Sequence, residues 1–182
     1  MNAFLREFSR SDAGNAGAEL ALLLPLLTLI MFGGMEVAHF FWTEHTVVKT
    51  VRDGARFAGR QKFANFNCDD DSIDATVEGE VKKLTRTGFI DGDDPETLGA
   101  DNPLIRGWSD DSTVTVELEC IDDADFSTTG IYRDSTGTGT SEVMAMRVTV
   151  TADVTYPSLF EGFGFLDGRT LTATAQSPVM GF

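Results

Sequence analysis

GNAGAELALLLPLLTLIMFGGMEVAHFFW, residues 14–42, decides how the rest of the chain is read. Its middle, Leu20 to Phe32, carries no charged side chain. At 1.5 Å per helical residue the stretch spans roughly 40 Å, more than the bilayer core of about 30 Å. Residues 15–42 are therefore expected to cross membrane lipid once as a helix. Glu19 and Glu36 interrupt the edges of the apolar run. A charge inside lipid costs roughly 2.5 kcal/mol or more, so each carboxylate needs a reason to be there. For Glu36 a position among the headgroups is the simple reading. Pro25 lacks an N–H and is expected to kink the helix. Gly33 and Gly34 offer a small surface for close helix packing. A cleaved secretory signal is the competing reading; the length of the run, Pro25 and the absence of a small-x-small site before Trp42 speak against it.

Phe40, Phe41 and Trp42 form an aromatic cluster of the kind found at membrane interfaces. No helix breaker follows. Val47, Val48, Val51, Ala55 and Ala58 recur at helical spacing, with Lys49, Arg52, Arg56 and Arg60 largely off that stripe. Residues 43–64 are therefore expected to continue the helix as an amphipathic extension. His39 and His45 are six apart and share no face, so both read as interfacial rather than as a metal pair. Before the apolar run, Arg6 and Arg10 are the only cations of a short polar segment similar to the n-region of a targeting sequence. Ser11 to Gly14 read as a break in any helix there.

Beyond Phe63 the chain holds 7 basic and 23 acidic residues, a net of −16 (7 − 23). Such a surface repels phosphate, which disfavours nucleic-acid binding. Ser72 to Thr87 reads as a second helix, with Ser72 as N-cap and Gly88 as its stop. Three alternating stretches, Thr113–Cys120, Glu142–Val154 and Arg169–Gln176, read as strands. Two helices followed by three strands give an α+β class: a long transmembrane helix, its amphipathic continuation, a second helix and a small antiparallel sheet. Residues 65–182 would form the acidic head. Asp91 to Asp94 and Asp122 to Asp125 invite a calcium reading, but neither has EF-hand spacing, and a solvated acidic loop is the simpler account. Ser127 to Thr140 reads as a flexible loop and Leu159 to Phe165 as an aromatic one. No hydrolase, phosphate-binding or zinc spacing occurs, so neither enzymatic activity nor a cofactor is expected. The two cysteines, Cys68 and Cys120, cannot be paired from their count alone.

The run Gly14-Asn15-Ala16-Gly17-Ala18-Glu19-Leu20-Ala21-Leu22-Leu23-Leu24-Pro25 resembles the opening of the TadE-like family, pseudopilins of the tight-adherence (Flp-type) pilus system. Phe32-Gly33-Gly34-Met35-Glu36 and Val51-Arg52-Asp53-Gly54-Ala55-Arg56-Phe57-Ala58 are similar to its second and third signatures. The resemblance implies a leader of residues 1–14, cut after Gly14 by a prepilin peptidase to leave a free amine on Asn15, with Glu19 as the fifth mature residue. Asp12 and Ala13 depart from the basic residues common before such a glycine. The resemblance further implies that Glu19 pairs with that amine on a neighbouring subunit, which would offset its desolvation. Glu19, Pro25, Gly33, Gly34 and Glu36 would then lie on a helix-packing surface. The implied partners are other pilin or pseudopilin subunits and the pilus assembly platform. A pilin-like head outside the cytoplasm follows, and in that oxidising compartment a Cys68–Cys120 disulfide. The cations from Lys49 to Lys62 oppose this, because the positive-inside rule alone would put the head in the cytoplasm. A single-pass surface protein whose head binds a partner is the alternative, and an anchored enzyme a third.

Overall fold

The computed structural model describes residues 13–90, 102–121, 145–160, 166 and 168–181. Residues 1–12 of the expected leader, both acidic runs considered for calcium, the 127–140 segment and residues 161–165 lie outside that set. One helix dominates: α1, Ala13–Gly59, 47 residues long and continuous through Pro25. At 1.5 Å per residue it measures about 70 Å. It already includes Ala13 and Gly14, where a break is expected from sequence. It ends at Gly59, short of the expected residue 64. There the Arg60 and Gln61 N–H groups close tight turns onto Phe57 and Ala58, and the Met180 N–H bonds the Gly59 carbonyl at 2.7 Å. These bonds satisfy carbonyls that the end of a helix leaves open.

Along α1 the side-chain chemistry changes while the backbone does not. Every large apolar side chain from Leu20 to Met35 is exposed. A helix apolar on all sides has no aqueous solution to its burial and needs lipid or other helices around it. From Glu36 onward one face is buried: Thr43, Val47, Thr50, Val51, Ala55 and Ala58. The buried threonines spend their hydroxyls on their own helix, Thr43 on the His39 carbonyl and Thr50 on that of Val47, both at 2.9 Å. The stripe expected from spacing is thus the stripe that enters the core, with Val48 at its margin.

After α1 the chain makes a small hairpin, β1 Phe66–Asn67 with β2 Ser72–Ile73, paired antiparallel. The expected polar break is in part this hairpin, and Ser72 and Ile73 belong to it rather than to the second helix. That helix, α2, is Ala75–Thr87. Its N-cap is Asp74, whose carboxylate accepts the Thr76 N–H at 2.9 Å. Its end is Gly88, in the left-handed conformation at φ 81° that glycine adopts without strain. Then come β3 Val114–Ile121, β4 Ala145–Thr155 and β5 Thr170–Pro178, forming one antiparallel sheet in the order β3-β4-β5.

α1 packs on β4 and β5, and α2 packs on β3 and on α1, so both helices cover one face of the sheet. That face supplies Val114 and Leu118 from β3, Met146, Val148, Val150, Ala152 and Val154 from β4, and Leu171 and Ala173 from β5. The opposite face is polar, with Arg147 paired across strands to Glu119 and Thr151 bonded to Thr174 at 3.0 Å. β4 runs the length of the head alongside α1. Its far end is tied to Val179, beside Gly59, while Tyr156, just past its near end, meets Glu36. Ten strand steps at about 3.4 Å and 23 helical steps at about 1.5 Å both come to about 34 Å, so strand and helix segment match.

Two glycines allow this close packing. A Cβ on Gly54 would meet the Thr85 side chain on α2, and one on Gly59 would sit 2.6 Å from the Pro178 carbonyl oxygen. Gly59→Ala is expected to lower head stability by about 1–3 kcal/mol through overpacking. Gly79→Ala, where no atom lies within 4 Å of the new methyl, should raise it by up to about 1 kcal/mol through helix propensity. Thermal unfolding of the full chain in detergent micelles measures both.

Candidate functional site

The site residues expected from sequence separate into three places, the first two on α1. The first is the helix start. Gly14 and Asn15 lie in its first turn, and Glu19 is exposed. Gly33 and Gly34 have open space where a Cβ would stand. In this half of the helix Glu19, Pro25 and Gly34 are exposed and Gly33 is half-buried.

The second place is the junction between the apolar half of α1 and the head. Glu36 is not an exposed side chain: it is buried, 3% exposed, beneath the turn that follows β4. Glu36 Oε2 accepts the Leu159 N–H at 3.1 Å, across 123 positions of sequence. The Tyr156 hydroxyl donates to the Glu36 backbone carbonyl at 3.2 Å and lies 2.9 Å from His39 Nδ1. With the phenol proton on the carbonyl, Nδ1 is the donor to the phenol oxygen. Phe40 packs edge-on to Tyr156 at 5.2 Å between ring centroids, and Phe32 edge-on to Phe160 at 5.1 Å. Glu36 therefore packs inside its own subunit, whereas the resemblance implied a place on a surface for neighbouring helices. His39, expected at the interface, is half-buried and bonded to Tyr156.

Two atoms at this junction are buried without a hydrogen-bond partner, Glu36 Oε1 and Ser158 Oγ. Leaving such a group unsatisfied costs about 1–3 kcal/mol, more when it is charged. Burial, then the hydrogen bond to Glu36 and its negative charge, push the Tyr156 phenol up to about 12 from 10.0. Sequence did not single out Tyr156 or Ser158, and Leu159 entered only as the start of an aromatic loop; no spacing rule connects that loop to residue 36.

A third place, away from the membrane half, is the covalent tie. Cys68, after β1, is disulfide-bonded to Cys120 on β3, with Cα atoms 5.7 Å apart. That distance lies in the normal range for a bridge. It joins the turn after α1 to the sheet and stabilises the head by roughly 4 kcal/mol in the chain-entropy account. Among the described residues no three His, Cys, Asp or Glu side chains come together as a metal set.

These features define a class: a long apolar helix that fits a membrane anchor, built into a small α+β head. Residues 14–56 match the family model of the TadE-like proteins, which points to involvement in the Tad pilus system. The matched span starts at the glycine of the expected processing site and runs through Glu36 into the core stripe of α1. No curated protein and no solved structure matches the chain.

Absorbance titration of the two tyrosines, Tyr132 and Tyr156, should show a step near pH 12 that Tyr156→Phe removes. The sign for stability follows. The folded phenol holds its proton to about 12 while the unfolded one releases it near 10. The contribution of Tyr156 is thus complete below pH 10 and falls as pH rises toward 12. Unfolding free energies of the wild type and Tyr156→Phe, compared across that window, should converge.

Proposed function

We propose that the protein is a pseudopilin or minor pilin of a tight-adherence pilus or related secretion machine, acting through helix packing and not through chemistry. The observation that carries this reading is the family match beginning at Gly14, with Glu19 five residues on in an otherwise apolar helix. In this reading a prepilin peptidase cuts after Gly14. The mature helix starts at Asn15, and the Asn15 amine of one subunit meets Glu19 of the next. Pairing offsets the desolvation of a carboxylate held among apolar helices. The exposed apolar surface from Leu20 to Met35 supports it, since lipid in the membrane and neighbouring helices in an assembly both cover such a surface.

The head lies outside the cytoplasm in this reading. The Cys68–Cys120 bridge supports that side, because disulfides persist in oxidising compartments. The cations from Lys49 to Lys62, counted alone, favour the opposite side; against that count, Lys49, Arg52 and Arg56 lie on the part of α1 that is folded into the head. Large domains translocate largely regardless of their charge.

Co-expression with an active prepilin peptidase is expected to give a mature chain beginning at Asn15, and Gly14→Val to leave the chain starting at Met1. N-terminal sequencing of the membrane-purified protein reads the outcome, and an uncut wild type would reject the processing. Glu19→Ala is expected to insert normally, since it removes a charge from an apolar segment. It should reduce recovery of partner subunits in cross-linking; equal recovery would reject the pairing.

A further inference from the structure

We infer that the turn Tyr156–Phe160 is a membrane-immersed tip, by which the head rests in the near face of the same bilayer that α1 crosses. The partner is the lipid itself, at the boundary of headgroups and acyl chains. The argument begins with length. The charge-free run on α1, Leu20–Met35, is 16 residues long. It spans about 24 Å as a helix, whereas the hydrocarbon core requires about 30 Å, or roughly 20 residues. The span is made up at its two ends, by Glu19 and the uncharged residues before it and by the turn that leads to the aromatic cluster Phe40, Phe41 and Trp42, of which Phe41 and Trp42 are exposed. Glu36 is then at membrane depth, and the structure shows what shelters it: the head covers it, and Leu159 supplies an N–H to its carboxylate.

The covering element must lie at that depth too. Phe160 stacks edge-on against Phe32, one helical turn further into the charge-free run, about 6 Å below Glu36. Any placement that immerses Leu20–Met35 immerses Phe32, and Phe160 with it. The chemistry of the turn fits such a place. Tyr156, Pro157, Ser158, Leu159 and Phe160 carry no charge, and the Leu159 side chain projects outward, 42% exposed. Irregular backbone is costly in lipid unless its polar groups are met. Here the Tyr156 N–H is met by the Arg169 carbonyl, the Leu159 N–H by Glu36 and the Ser158 carbonyl by the Arg106 guanidinium, whose exposed side chain reaches to the interface from the head, while the Ser158 hydroxyl has no partner. The turn thus continues the apolar surface of the helix onto the head and fixes the height at which the head sits.

This rests on α1 crossing a bilayer and not on the pilus role. The experiment uses the full chain, with Cys68 and Cys120 oxidised, in phosphatidylcholine vesicles. A fluorophore is placed on Leu159→Cys, on Leu27→Cys within the span, or on Thr172→Cys on the polar face of the sheet. Nitroxide-bearing lipid should quench the label at 159 several-fold more than the label at 172, and aqueous iodide should quench it several-fold less. Quenching at 159 equal to that at 172, with 27 still quenched by lipid, overturns the tip while leaving the anchor intact. No lipid quenching at 27 overturns both. Because substitution at 159 perturbs the turn, the unaltered chain gives a second measurement. A lipid-tethered diazirine should label the tryptic peptide Val148–Arg169 as well as α1, and labelling confined to α1 rejects the tip.

Discussion

The structure depends on one constraint: a single unbroken helix must satisfy two solvents. Its backbone stays helical throughout, short of the one bond that Pro25 cannot donate, so the change from lipid-compatible rod to core element is written in side chains. From Leu20 to Met35 the surface carries no charge on any side; above Glu36, valine, alanine and threonine occupy one face and charged side chains of both signs the others. The head has no complete core without that face. Val47, Val51, Ala55 and Ala58 stand in the same cluster as Val148 and Val150 of β4, and Gly54 and Gly59 bring the neighbouring backbones within contact of α1.

The two regimes meet at Glu36. A carboxylate at that point would be costly against lipid, and against the core it is still short of partners, with one oxygen bonded and one not. Around it the chain gathers the Leu159 amide on the carboxylate, Tyr156 on the Glu36 backbone carbonyl, and His39 on the Tyr156 hydroxyl. A junction of this kind holds two elements more than 100 positions apart in sequence in a fixed relation. The TadE-like match covers the α1 half of this arrangement and stops before the sheet.

Much of this was legible in the sequence because its physics is periodic or local. The core stripe of α1 follows from a 3.6-residue repeat, and the three main strands from alternation along β3, β4 and β5. The hairpin β1–β2 was not legible, since two-residue strands are too short to show alternation. The N-cap of α2 was placed at Ser72 where Asp74 serves; both are capping residues two positions apart, and only the hairpin pairing of Ser72 separates them. The burial of Glu36 was beyond reach for another reason. Its partners come from the far end of the chain, through contacts that carry no spacing signature. The disulfide stood as an implication of the resemblance and not of the cysteine count, and the geometry of β3 beside the turn after β1 accounts for it.

The alignment of β4 and β5 with α1 has a mechanical consequence. A force drawn along the rod does not peel the head away one contact at a time. It loads the whole seam between helix and strands in shear, over a length of about 34 Å. At the far end the seam is pinned where Met180 meets Gly59, and the sulfur bridge fastens the turn beyond the rod to the remaining strand. The rod is thus a handle: tension applied to its lipid half reaches every layer of the head together.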